Sequence, residues 1–126
     1  MKKTEKETQA TANHPPIIIK DAIERAMGDV ELIQMLFDEL KATVWNHMEK
    51  IKDALDRGDN NALEKEAHQL KGAAASLSVT GVAAKAFDLE RMGKGDLEIN
   101  SDAISDLEGE IKRFIDYIDN FDWGGI

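Results

Sequence analysis

The sequence predicts an all-α fold, an antiparallel four-helix bundle with a short extra helix at its N-terminal end. Three observations predict it. Apolar residues recur in steps of three and four along four long segments, and nowhere do they alternate with period two. Short links rich in Gly, Asp, Asn and Ser separate those segments. Ala, Leu, Glu and Lys are plentiful, whereas aromatic residues make up only 6% of the 126 positions, so composition also favours helices.

Met1–Asn13 is polar and unpatterned, which predicts a disordered tail over residues 1–15 and a single bundle domain over 16–126. His14-Pro15-Pro16 blocks a helix before it, and Pro16 suits a helix start, so a short helix is expected over Ile17–Met27, ending at Gly28. Asp29 is the expected N-cap of the next helix, whose stripe reads Ile33, Leu36, Leu40, Val44, Met48, Ile51 and Leu55, widened by Phe37. Gly58 is placed to end it in a left-handed conformation, and Asp59-Asn60-Asn61 forms a turn that supplies the following cap. The third helix carries Leu63, Ala67, Leu70, Ala74 and Leu77, with a boundary or kink near Ser78. The fourth carries Val82, Ala86, Leu89 and Met92 and stops at Gly93-Lys94-Gly95. Asn100-Ser101-Asp102 starts the last, with Ile104, Leu107, Ile111, Phe114, Ile118 and Phe121. Gly109 lies inside that helix without a sequence-level reason. Short links between amphipathic helices imply antiparallel neighbours.

The formal net charge is −9, which argues against nucleic acid or an anionic membrane as partner. The longest aliphatic run, Ile17-Ile18-Ile19, is far too short to span a bilayer, and no secretory leader is evident. There are no cysteines, so disulfides and thiolate metal sites are excluded. A cytoplasmic setting is the expectation. No paired carboxylates, nucleophile–base set or phosphate-binding loop marks an enzyme.

Of the three histidines, His14 lies in the expected tail and His47 sits one position off an apolar stripe. Neither has the i, i+4 histidine spacing of a zinc site, and no metal is expected. His68 differs in its surroundings. On a helix, Lys65, His68, Lys71, Gly72 and Ala75 share one face, about 100° round from the Ala67–Leu70–Ala74 stripe. The imidazole should stand exposed at the bundle edge between two ammonium groups, which would attract a phosphoryl group. Gly72 and Ala75 leave the surface beside it bare. A helical glycine costs about 1 kcal/mol relative to Ala, so something offsets it: close approach by a partner molecule, or close packing of two helices of this bundle. The residues alone favour neither.

His68-Gln69-Leu70-Lys71-Gly72 resembles the HxLKG motif of histidine phosphotransfer (HPt) domains. The resemblance continues through the small residues Ala73–Ala75, a hydrophobic Leu77 and the pair Leu89-Glu90, and upstream through Ala54-Leu55, Gly58-Asp59, Leu63 and Ala67. It covers about Ile17 to Phe121. One departure is Ser78, where such domains usually have Gly. The resemblance implies a phosphorelay carrier rather than an enzyme. His68 would be the phosphoacceptor through Nε2. Glu90 would accept a hydrogen bond from Nδ1–H, and Lys71 would stabilise the phosphoryl charge. Gly72 and Ala75 would lie under the docked partner; Lys65 is placed beside them by helical spacing alone, not by the resemblance. That partner would be a receiver domain of a response regulator or a hybrid sensor kinase, which would bring the Mg²⁺; no cofactor is expected on this chain, and a monomer suffices. Glu90, in place of Gln, also resembles the phosphoacceptor domain of chemotaxis-type histidine kinases, although Met1, the polar tail and the Gly-Gly-Ile end favour a free-standing domain. A non-catalytic interaction bundle with an inert His68 is the remaining alternative.

Overall fold

The computed structural model describes residues 15–125, so the expected tail up to residue 14 lies outside the described residues. The helices are α1 (Ile19–Arg25), α2 (Val30–Asp56), α3 (Asn60–Ser76), α4 (Thr80–Lys94) and α5 (Asp102–Asp119), followed by a 3₁₀ turn, Trp123–Gly125. No strand occurs among the described residues. Helix α3 packs against both α2 and α4, α4 packs on α5, and α5 returns to α2, which closes a four-helix bundle with α1 leaning on α2.

Local chemistry sets the boundaries. Asp29 Oδ1 accepts from Leu32 N–H at 3.0 Å and Asp59 Oδ1 from Ala62 N–H at 3.0 Å, so both expected caps satisfy first-turn donors. Gly58 has φ +67°, and the Asp59 N–H reaches back to the Ala54 carbonyl at 2.9 Å, the closure that a left-handed C′ residue permits. The same closure ends α3, where the Val79 N–H bonds the Ala74 carbonyl at 2.9 Å. Here the left-handed residue is Ser78, at φ +57°. It adopts the conformation that glycine would take without strain, so the loss of the usual glycine does not move the helix end.

Some boundaries differ from the sequence reading. Helix α1 is shorter than Ile17–Met27. Ile17 is buried ahead of the helix, the Ile18 N–H donates to the Ser78 carbonyl at 3.0 Å, and Met27 turns left-handed at φ +57°. Those ties fix both ends in non-helical geometry. In α2, Phe37 and Ala54 are fully packed while Leu36 and Leu55 are only half-buried. A straight helix has 3.6 residues per turn, so a stripe of threes and fours drifts over 27 residues. In α5, Ala103 is buried and Ile104 only half so. Phe121 lies beyond the helix, with its ring 4.8 Å from that of Trp123 in an edge-on contact. Gly109 is exposed, and a Cβ there would meet nothing within 4 Å; nothing in the structure explains it.

The α3–α4 pair is the closest in the bundle. Ala67, Ala74 and Ala86 are fully buried. A Cβ on Gly93 would lie 2.5 Å from the Glu64 amide nitrogen and 2.8 Å from the Asn60 carbonyl oxygen. Backbone meets backbone there, as only glycine allows.

Candidate functional site

Helix α3 places its expected face outward. The His68 side chain is 63% exposed, and Lys65, Gly72 and Ala75 are exposed beside it. A Cβ on Gly72 would meet nothing within 4 Å, so this glycine packs against no neighbouring helix. Of the two explanations left open by the sequence, the packing one fails.

Helix α4 supplies the other half of the site. The antiparallel pair touches at Gly93 and, one turn back along α4, brings Glu90 level with His68 and Lys71. His68 Nδ1 lies 3.0 Å from Glu90 Oε2. Lys71 Nζ lies 2.6 Å from Oε1, and Lys94 Nζ lies 3.5 Å from Oε2. The Lys71 contact falls outside ordinary hydrogen-bond angles, which leaves Oε1 without an aligned donor although the charges are adjacent. At that separation the ammonium still compensates the carboxylate, whatever its angle.

Glu90 is only 3% exposed, a buried charge on a helix whose other acidic residue is only half-buried. The close α3–α4 approach encloses it. Burial pushes its carboxyl upward in pKa, but the adjacent ammonium of Lys71 and the bonded ring of His68 together pull harder, and the group ends below the ordinary carboxylate value. An ionised carboxylate can only accept, so the Nδ1 of His68 carries the proton and donates it. The lone pair is then on Nε2, across the ring, for a reactant arriving from outside.

Not every expected residue joins this network. Lys65 is exposed and makes no ion pair among the described residues; spacing put it on the right face but too far from Glu90. Ala75 contributes its carbonyl, which accepts from an Arg25 guanidinium nitrogen at 3.2 Å and ties α1 to α3. Two residues were missed. Lys94 had a readable signal, the i, i+4 spacing from Glu90. Phe87, 44% exposed, had none; its ring centroid lies 5.0 Å from Lys71 Nζ and 5.7 Å from the Arg91 guanidinium carbon. His47 is half-buried beside an apolar groove with Leu40, Ala73 and Leu77 and is not among the groups paired with Glu90. His14 lies outside the described residues. Among the described residues no cluster of His, Asp or Glu is arranged to hold a metal ion, and no helix is long and apolar enough to cross a membrane.

Fold and site together define a small helical bundle with one outward imidazole anchored by a buried carboxylate. The sequence profile of the family described as Hpt domain matches residues 31–120, most of the chain, and the chain belongs to that family. Hpt domains are phosphocarriers that exchange phosphoryl groups with receiver domains in phosphorelays. No curated protein and no solved structure gives a significant match to the chain.

Proposed function

We propose that this protein carries a phosphoryl group on His68 between receiver-domain aspartates of a two-component phosphorelay. The observation that carries the reading is the His68 ring itself: Nδ1 bonded at 3.0 Å to a buried carboxylate while most of the side chain stands open.

The chemistry follows from that geometry. The Nε2 lone pair attacks the phosphorus of a partner's aspartyl phosphate. A nitrogen–phosphorus bond forms and the phosphorus–oxygen bond to aspartate breaks; the carboxylate leaves with the electron pair. Nδ1 keeps its proton, and Glu90 stabilises the positive charge that grows on the ring. Transfer onward is the reverse, with a second aspartate attacking. Lys71, one turn from His68, is the ammonium best placed to swing toward the arriving phosphoryl oxygens. Gly72 and Ala75 give the partner's loops room to approach, and Lys65 adds a cation at the rim. The Mg²⁺ and the acidic pocket that activate the aspartate belong to the receiver, so this chain needs no cofactor.

The test is phosphoryl uptake from phosphorylated receivers encoded in the same genome. His68→Gln should abolish formation of an acid-labile, base-stable phosphate, and His47→Gln should leave it intact. Uptake by the His68 variant at the normal rate would sink the proposal.

A further inference from the structure

Glu90 has two oxygens and three donors around it. Lys71 holds Oε1 at 2.6 Å, and His68 Nδ1 and Lys94 share Oε2 at 3.0 and 3.5 Å. The charged groups against this carboxylate are therefore His68 and Lys71 from α3 and Lys94 from its own helix; none from α5 pairs with it among the described residues.

This arrangement raises a conflict once His68 is phosphorylated. Lys71 is the ammonium placed to meet the new phosphoryl charge, yet it is also the closest cation to Glu90. One ammonium cannot serve both at full strength. A buried carboxylate that loses its cation takes up a proton instead, and a protonated Glu90 is a poorer acceptor for Nδ1–H. Lys94 does not share the conflict. It comes from α4, approaches the carboxylate on the oxygen that His68 uses, and is 44% exposed, so it has freedom to close the remaining distance.

We infer that Lys94 is a positioning residue: a reserve cation that keeps Glu90 charged and aimed at His68 Nδ1 while Lys71 turns to the phosphoryl group. This rests on the carrier reading above for its phosphorylated half only. Lys94 acts through Glu90 and touches no reacting atom. Its ion pair with Oε2 at 3.5 Å is longer than the 2.6 Å contact of Lys71 with Oε1, so it has room to close when Lys71 turns away.

The experiment follows the Glu90 side-chain carboxyl by ¹³C NMR as pH is varied, in the full chain. Wild type, Lys94→Gln, Lys94→Arg, Lys71→Gln and the double Gln variant are compared, each with and without chemical phosphorylation of His68 by phosphoramidate. Lys94→Gln should raise the Glu90 midpoint slightly in the resting protein and clearly more in the phosphorylated one. Lys94→Arg should restore it. In the resting protein, Lys94→Gln should shift the midpoint further in the Lys71→Gln background than alone. Transfer out of phosphorylated Lys94→Gln to a receiver should slow by about two- to fivefold, the scale of one half-exposed ion pair. Equal midpoints in wild type and Lys94→Gln, with His68 phosphorylated, would overturn the inference. If phosphoramidate does not label His68, the carrier reading fails. The Lys71→Gln comparison in resting protein then still decides the role of Lys94: a further shift supports it, and no further shift rejects it.

Discussion

Gly72 and Gly93 sit on facing helices within a few turns of each other and do opposite things. Around Gly72 the space that a Cβ would fill is empty; at Gly93 that space already holds the Asn60–Glu64 backbone. One glycine keeps a surface bare, and the other closes an interface. Each costs helix stability of about the same size, so the return for each comes from a different place. At Gly93 it comes within the molecule, as the close approach that brings Glu90 to His68. At Gly72 nothing within the molecule compensates, which points outward to a docking partner.

The comparison can be broken most readily at Gly93. Gly93→Ala should destabilise by about 2–3 kcal/mol, because the obstructing atoms are backbone and can yield only if the helices part. It should also weaken the His68–Glu90 bond, visible as a change in the His68 ring ¹⁵N shifts. A melt unchanged from wild type would show that the α3–α4 approach has slack.

A second effect concerns the carboxylate that this approach encloses. Glu90→Gln should remove part of the acid sensitivity of the fold. The native carboxyl sits below its ordinary value near 4.5, so its contribution to stability is fully present above that pH and is lost as pH falls through the lower folded value. Chemical denaturation across that acid window should therefore show a shallower loss for the Gln variant. Glu90→Ala at neutral pH should lose about 1–3 kcal/mol, more than an edge residue would, because it leaves the ammonium of Lys71 half-buried without its acceptor.

The smallest effect has the opposite sign. Gly72→Ala should stabilise the fold by about 0.8–1.0 kcal/mol, since the Cβ meets nothing and Ala is the better helix former. Gly72→Gln should also fold, yet should slow transfer from a receiver by about tenfold or more. A Gln variant that melts early but transfers normally per folded molecule would return Gly72 to the packing side of the comparison.

These two glycines also show where sequence reasoning stops. Periodicity placed all four buried residues of α3, Leu63, Ala67, Leu70 and Ala74, and Leu77 just past its end. It was less exact along α2, where Phe37, given only as widening the stripe, and Ala54 are fully packed while Leu36 and Leu55 pack at the margin of the core. The site was half legible. The outward face of His68, Lys71, Gly72 and Ala75 follows from spacing on one helix. The pairing of His68 with Glu90, 22 positions away, has no local pattern and entered only through the family resemblance. Lys65 shares the helical face of His68 by i, i−3 spacing, whereas Lys94 stands at i+4 from Glu90, so helical spacing places it at the site only once Glu90 is known to belong there. Burial of Glu90 was invisible because it arises from Gly93, whose tight contact lies on another helix.

The strap across the far end of α3 has a further consequence. Seven residues are too few for α1 to persist as a helix unaided, so its order is borrowed from the bundle through Ile17, Ala22 and two carbonyls, Ala75 and Ser78. Those carbonyls belong to the segment where a free helix would fray. With Asp59 fastening one end of α3 and α1 the other, the helix bearing His68 is clamped at both termini. Its slow amide exchange should extend through the last turn, where an unclamped helix loses protection first. The imidazole is left to move by rotation of its own side chain, on a backbone that a docking partner meets already set.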